Sequence, residues 1–393
     1  MRSEFLPFAP PLIGDEEIEE VVRTLRSGWL TTGPKVQQFE VEFKDFVGAP
    51  AAIALNSATS AMHVALAALG IGDGDSVVST TMTFCSSIHV IEHQRAHPVL
   101  VDVQPDTLNI DPEQVEAAVK RTPGVKAILP VHLYGHPADM NAIYDIARRH
   151  GLAVIEDAAH SLPARIDGRM IGTPMAGFDQ PNLVAFSFYA TKNLTTGEGG
   201  MLTGPPGLVE DARVWSLHGM SRDAFKRYTA EGSWRYEVVL PGFKYNMPDL
   251  QAAIGVHQLR RLEVMQKRRE AIVAQYDEAL GQLEELETPV ARPNVRSAWH
   301  IYLLRLREGR LKIDRAAFIE ELRKRNIGAS VHFIPVHLQP YYRDRYGLKP
   351  QQFPVAQSNF ERMLSLPLSP AHTDQDVADV IEAVSDIVRT HRR

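Results

Sequence analysis

Apolar and polar positions along the chain follow two rhythms. Short apolar runs rich in β-branched residues, "AAIALN", "SVVST", "HPVLVDV", "VKAILPVH" and "LAVIED", predict strands of a mostly buried sheet. Between them, residues 58–69, 84–95, 112–120 and 138–150 carry helical periodicity. Ahead of these, "DEEIEEVVRTLRSG" places Ile18, Val21, Val22 and Leu25 at helical spacing, with Gly28 as the stop. "LVAFSF" and "GGMLTG" predict further strands, and a long charge-rich helix is expected from Pro248 to about Leu280. Beyond it, strands ("WHIYLLRL", "ASVHFIP") and helices (314–326, 374–391) recur in a new arrangement.

Strand–helix alternation of this kind implies right-handed crossovers, hence an α/β fold with a largely parallel sheet and helices on both faces. A chain of 393 residues exceeds what one core usually serves. We therefore expect a large domain over 1–260, including an N-terminal arm, and a smaller C-terminal α/β domain over 261–393. No internal repeat or low-complexity linker interrupts this pattern. Residues 46–72 contain no charged side chain, but Pro50, Asn56, Ser57, Thr59, Ser60 and His63 break the segment, so it predicts a strand, a turn and a buried helix rather than a membrane span.

Composition narrows the partners. A net charge of −6 gives no basic face for nucleic acid or an anionic membrane, which leaves a small molecule. The runs "QKRRE" and "THRR" suit solvated helix faces. The one cysteine, Cys85, allows no intrachain disulfide and suits a reducing cytoplasm, and "MRSEFLPFAPP" lacks the apolar core of an export signal.

Chemistry in such folds gathers where the parallel strands end. After the first strand, "NSATSAMHVAL" opens a helix whose free backbone N–H groups attract phosphate, with Ser57, Thr59 and Ser60 adding hydroxyls; an ordinary Ser/Thr cap is the plainer reading. No G-x-x-x-x-G-K-[ST] pattern is present, so nucleoside triphosphate hydrolysis is unsupported. "LAVIEDAAHS" puts Glu156 and Asp157 at a strand end, where a buried carboxylate would pair with a cationic ring nitrogen, and His160 lies three residues on. "SFYATKNLTTGEGGM" carries Ser187 and Lys192 among hydroxyls and glycines; an amine near apolar surroundings loses proton affinity, as a nucleophilic lysine requires. Phe84 in "TMTFCSSIHV" could stack on a planar ring. Each feature alone has a commonplace explanation. Together they supply the phosphate cradle, ring-nitrogen carboxylate, aryl lid and lysine that pyridoxal 5′-phosphate needs.

The same residues carry a family resemblance. "SGWLTTGP", "NSATSAMHVAL", "PVHLYGHPADM", "EDAAHS", "FSFYATKNLTTGEGGM", "GFKYNMPDLQAAIG" and "LPLSP" fall in the order seen in the DegT/DnrJ/EryC1/StrS sugar-nucleotide aminotransferases, pyridoxal-phosphate enzymes of fold type I, and the chain resembles them nearly end to end. Within that group "EFLPFAPP", His160 and "GFKYN" most resemble the enzymes that make UDP-4-amino-4-deoxy-L-arabinose. The resemblance implies that Lys192 binds the cofactor covalently and moves the substrate proton, and that Asp157 keeps the ring nitrogen protonated. It places His160 near the ring 3-hydroxyl, Phe84 on the ring face, and Ser57, Ala58, Thr59 and Ser187 at the phosphate. Asn246 would complete that site from the partner of a homodimer, with Lys244 as the alternative. Trp29, Thr31, Thr32, His332 and Tyr341 are candidates for the substrate side. No metal is assigned.

The activity so implied moves an amino group from L-glutamate to a 4-keto sugar on a UDP or dTDP carrier, releasing 2-oxoglutarate. Lys192 favours transamination, since related sugar 3-dehydratases place His there. Two other readings stay open: a 3-keto sugar aminotransferase, and a non-catalytic pyridoxal-phosphate-binding regulator.

Overall fold

The computed structural model describes residues 2–220 and 236–393. Helices α1 (Asp15–Ser27) and α2 (Pro34–Val47) precede an alternating run: β1 (Ala51–Leu55), α3 (Ala58–Ala68), β2 (Ser76–Thr80), α4 (Ser86–His93), β3 (His97–Val101), α5 (Pro112–Arg121), β4 (Val125–Leu129), α6 (Met140–His150) and β5 (Ala153–Asp157). A small antiparallel pair, β6 (Arg165–Ile166) and β7 (Arg169–Met170), leads to β8 (Asn182–Ser187), β9 (Gly200–Gly204), α7 (Pro206–Ser216) and the long α8 (Asp249–Leu280). The remainder holds β10 (Leu286–Glu287), β11 (Val295–Arg296), β12 (Tyr302–Leu306), α9 (Arg315–Lys324), α10 (Pro340–Tyr346), α11 (Pro354–Arg362), β13 (Met363–Leu366) and α12 (Asp374–His391).

Seven strands form one sheet in the order β1-β9-β8-β5-β4-β2-β3. Neighbours pair in parallel except at β9, which runs antiparallel to both β1 and β8. The cause is local: residues 188–199 contain no helix to carry the chain back over the sheet, so it returns antiparallel. Both ends of that loop therefore sit at the edge where β1, β2, β4 and β5 finish. Strand alternation feeds a core on each face: Ala52 and Ala54 face a layer with Phe39 and Phe43 of α2, while Ile53 and Leu55 face Met62 and Leu66 of α3.

Helix α8 serves two cores. Val256, Leu259, Leu262 and Met265 pack with the large sheet, whereas Ile272, Val273, Tyr276 and Leu280 pack with β12, β13 and α12. The packing thus changes between Met265 and Ile272, slightly past residue 260. The N-terminal arm, expected with residues 1–260, lies along the small domain instead: the Leu6 N–H donates to Asn326 O (2.8 Å), its carbonyl accepts from Gly328 N (2.9 Å), and its side chain enters the C-terminal core.

One other expectation needs correction. "ASVHFIP" does not form a strand. It makes one bridge, Ser330 to Ser365, and then turns toward the sheet edge, with the Tyr134 hydroxyl bonded to His332 O and Pro335 lacking the N–H a ladder needs. Helix α1 forms as expected and ends at Gly28, but its faces are inverted relative to an ordinary amphipathic helix. Glu17, Glu20 and Thr24 are buried, while Ile18, Val22 and Leu25 are 54%, 36% and 51% exposed. The buried carboxylates are satisfied: Glu20 meets Lys35 (2.6 Å) and Arg23 (2.8 Å), and Glu17 accepts from Gln258 (3.0 Å) and Gly14 N (2.7 Å). The apolar stripe is left outward.

Candidate active site

The carboxyl ends of β1, β2, β5 and β8 converge on a cavity of about 460 Å³. Of the residues singled out from the sequence, Ser57, Ala58, Thr59, Phe84, Asp157, His160, Ser187, Lys192 and His332 line it. A larger cleft in the small domain, between β12, α9 and α11, contains none of them.

The lysine loop is built from its own hydroxyls. Phe188 O accepts from Thr196 N (2.9 Å) and Thr195 Oγ1 (3.3 Å), while Thr196 Oγ1 donates to Glu198 O (2.6 Å). Thr195 and Thr196 hold the loop's shape. Glycine is needed at position 200, where a Cβ would lie 2.4 Å from Ser57 C, so β9 can pass directly beneath the amino end of α3. Lys192 is half-buried and opens onto the cavity, where neighbouring side chains desolvate its amine. That desolvation lowers its pKa to about 8, partly opposed by the charge of Asp157.

Period-two alternation at the end of β5 sends Glu156 and Asp157 to opposite faces. Glu156 is buried beneath the sheet edge, bonded to His132 (2.9 Å), Tyr144 (2.6 Å) and Asn182 (2.9 Å). Asp157, 5% exposed, faces the cavity, accepting from Ser87 Oγ (2.7 Å) and Ala159 N (3.1 Å). Thr83 Oγ1 lies 2.8 Å from Ser87 Oγ, completing a buried hydroxyl pair behind the carboxylate. At the first strand end, the ordinary cap and the cavity lining coincide: Ser57 Oγ accepts from Ser60 N (3.1 Å) while Ser57, Ala58 and Thr59 border the opening.

Three histidines surround the amine. His160 Nδ1 accepts from Tyr134 N (3.3 Å), and its ring packs 4.5 Å from that of His300. Burial and the nearby Lys192 charge hold both rings well below the usual histidine value. His332 is lowered to about 4 by the same causes. His300 lies within hydrogen-bond reach of Lys192 Nζ, at 3.5 Å. In sequence it belongs to a strand pattern, and nothing in "WHIYLLRL" marks it apart from its neighbours. Ser87, Tyr189, Thr191, Glu198 and Phe333 were likewise not singled out.

The other candidates do not line this cavity. Trp29, Thr31, Thr32, Lys244 and Asn246 form a second cluster: Asn246 Nδ2 donates to Thr32 Oγ1 (2.7 Å), Lys244 Nζ to Asn246 Oδ1, Trp29 Nε1 to Thr32 O (3.1 Å), and Asp249 N to Thr31 O (3.1 Å). Tyr341 is exposed on α10 and donates to Glu92 (2.6 Å).

A family model described as the DegT/DnrJ/EryC1/StrS aminotransferase family matches residues 11–385. The chain belongs to that family. This aminotransferase is 53% identical over 390 residues to the spore coat polysaccharide biosynthesis protein SpsC of Bacillus subtilis, covering 99% of this chain and 98% of that one. Spr1654 from Streptococcus pneumoniae, solved in PMP and PLP forms, superposes with TM-scores of 0.90 and 0.89 at 33% and 32% identity, over 98% of this chain and 99% of that chain. DesV of S. venezuelae, solved in complex with a ketimine intermediate, gives 0.85 at 34% identity over 98% and 99% of the two chains. The protein is a sugar aminotransferase of the pyridoxal-phosphate fold, and its cofactor is pyridoxal phosphate. The cavity walls fit that group chemically: an amine of lowered proton affinity, a buried carboxylate, and hydroxyls beside the amino end of α3. Among the described residues no helix is long and apolar enough to cross a membrane.

Proposed function

We propose that the enzyme transfers the amino group of L-glutamate to the 4-keto group of a sugar carried on UDP or dTDP, giving a 4-amino-4-deoxy sugar nucleotide and 2-oxoglutarate. The observation that carries this reading is the placement of the Lys192 amine and the Asp157 carboxylate in one cavity beside the amino end of α3. When bound, pyridoxal phosphate supplies an electron sink for the carbon that loses its proton. Asp157, held in place by hydrogen bonds from the Ser87 hydroxyl and the Ala159 amide, would keep the ring nitrogen protonated. Lys192 would hold the cofactor covalently and, once freed, would take the proton from the donor's α-carbon on Nζ; in the second half-reaction Nζ would deliver a proton to the sugar carbon. Ser57, Ala58, Thr59 and Ser187 would hold the phosphate, Phe84 would cover the ring, and His160 would serve the ring oxygen. Because 2-oxoglutarate leaves before the keto sugar enters, kinetics are ping-pong.

The functional unit is a homodimer in this reading. Two features support it: the outward Ile18, Val22 and Leu25 of α1, and a polar cluster of Asn246, Lys244, Trp29, Thr31 and Thr32 outside this chain's own cavity, available to a partner's. His332 serves the substrate side from within the cavity. The similarity to a polysaccharide biosynthesis protein favours a nucleotide-linked sugar as the amino acceptor. A panel of nucleotide-linked keto sugars, offered to the glutamate-treated enzyme, tests the assignment. Turnover of a 4-keto sugar is expected, and exclusive turnover of a 3-keto sugar refutes it.

A further inference from the structure

The neighbour of the lysine in sequence orients the histidine that meets it in space. Asn193 Nδ2 donates to Ala298 O (2.7 Å), which leaves Asn193 Oδ1 as the group facing His300 Nδ1 at 3.2 Å. An amide oxygen only accepts, so His300 carries its proton on Nδ1 and presents the Nε2 lone pair. That lone pair faces Lys192 Nζ at 3.5 Å, a long contact of the kind that tightens when an active site is loaded. The backbone fixes the ring's place as well. His300 N and Ile301 N both donate to Tyr134 O (3.0 and 3.2 Å), Ala298 N donates to Gly135 O (2.9 Å), and a Cβ at Gly135 would lie 2.7 Å from Trp299 N. From α8, Arg269 donates to Leu368 O (3.0 Å) and Trp299 O (3.4 Å) beneath the same segment.

We infer that Asn193 and His300 form a relay that aims the Lys192 amine: His300 Nε2 accepts an N–H from Nζ, so the nitrogen's own lone pair points into the cavity. His300 acts as an acceptor and not as a proton store. The groups facing it are Lys192 from the loop after β8, His160 after β5, His332 from the turn before Pro335, and Arg269 from α8, and each disfavours an imidazolium. Asp157 is the anion facing the amine itself, and Glu198 borders the same cavity. No net proton passes to His300 in a turnover. The proton that Nζ takes from the donor's α-carbon would be handed on to the cofactor within the same half-reaction, and the reverse transfer would supply the sugar carbon.

This rests on reading Lys192 as the cofactor lysine. The two ideas are separated by fixing the cofactor with borohydride and mapping the labelled peptide in every variant. The test uses glutamate-treated holoenzyme, in which Lys192 is free, and follows its labelling by an amine-reactive reagent against pH, by mass spectrometry. Replacing His300→Phe removes the acceptor that favours the ammonium, so the labelling midpoint falls by about one unit; His300→Gln, which offers an amide oxygen, restores it. In His300→Phe, kcat falls about tenfold or more while KM for glutamate is unchanged, as loss of an interaction made only in the chemical step requires. Should His300→Phe fail to fold, Asn193→Leu keeps the ring but releases its tautomer, and its midpoint falls likewise. An unmoved midpoint in these variants, a His300→Gln midpoint as low as that of His300→Phe, or a loss confined to KM overturns the relay. If borohydride labels a residue other than Lys192 in the unaltered enzyme, the site reading falls with it.

Discussion

Replacing Asp157→Asn removes one charge and little else. The side chain keeps its shape, and its amide oxygen still accepts from one of the two donors now on the carboxylate, Ser87 Oγ at 2.7 Å or Ala159 N at 3.1 Å. What is lost is the buried carboxylate that the proposed mechanism sets against the ring nitrogen. Removing one partner of a buried ion pair costs about 3–5 kcal/mol. Applied to a barrier, this slows the reaction by about two to four orders of magnitude. A second effect runs through the lysine. Asp157 raises the Lys192 pKa against the desolvation that brings it to about 8, so the variant's amine titrates at lower pH than the native one. The assay is a single-turnover conversion of holoenzyme by saturating glutamate, followed by absorbance, with cofactor content measured in parallel. A variant that holds full cofactor and reacts within about tenfold of the native rate would refute the role of this carboxylate.

Ser87→Ala removes the 2.7 Å bond to Asp157, and a hydrogen bond to a charged group is worth about 1.5–3 kcal/mol, so kcat is expected to fall about 10- to 100-fold with the fold intact by circular dichroism. Mixing and reassociating inactive Lys192→Ala and Asn246→Ala proteins restores activity if each site draws on both chains; no recovery in the hybrid, isolated by tag, contradicts the shared site. Ile18→Asp combined with Val22→Asp charges the outward stripe of α1 and is expected to yield monomers by sedimentation, whereas an unchanged dimer places the interface elsewhere. In cofactor-free protein the folded Lys192 value of about 8 lies below the ordinary 10.5, so the unfolded chain keeps a proton that the folded one loses, and stability rises with pH across that interval. Lys192→Met is then more stable than native at pH 7, and the gap closes toward pH 10.5; a gap independent of pH contradicts the buried amine.

The parallel sheet was legible because its strands are covered on both faces and read as unbroken apolar runs. The four strand ends followed from that sheet, and with them Ser57, Phe84, Asp157 and Lys192, each adjacent in sequence to a recognisable strand. Residues reaching the cavity from the second domain left weaker signals. His300 sits next to a strand whose start is delayed by the left-handed Trp299 (φ 47°) and by bonds to Tyr134, neither of which has a periodicity to find. Ser87 reads as an ordinary helix residue until β5 places Asp157 beside it. "ASVHFIP" has the composition of a strand, yet its backbone is held by one bridge and by Tyr134. Helix α1 shows the opposite limit: its periodicity gave the helix correctly but not which side of it faces water, since that depends on the carboxylate partners Lys35 and Gln258 supplied by distant segments.

The most direct measurement reduces the native holoenzyme with borohydride, digests it and maps the cofactor-bearing peptide by mass spectrometry. The label is expected on Lys192, within the loop that joins β8 to β9. A label on any other lysine, or a Lys192→Ala variant that turns over like the native enzyme, would contradict the account.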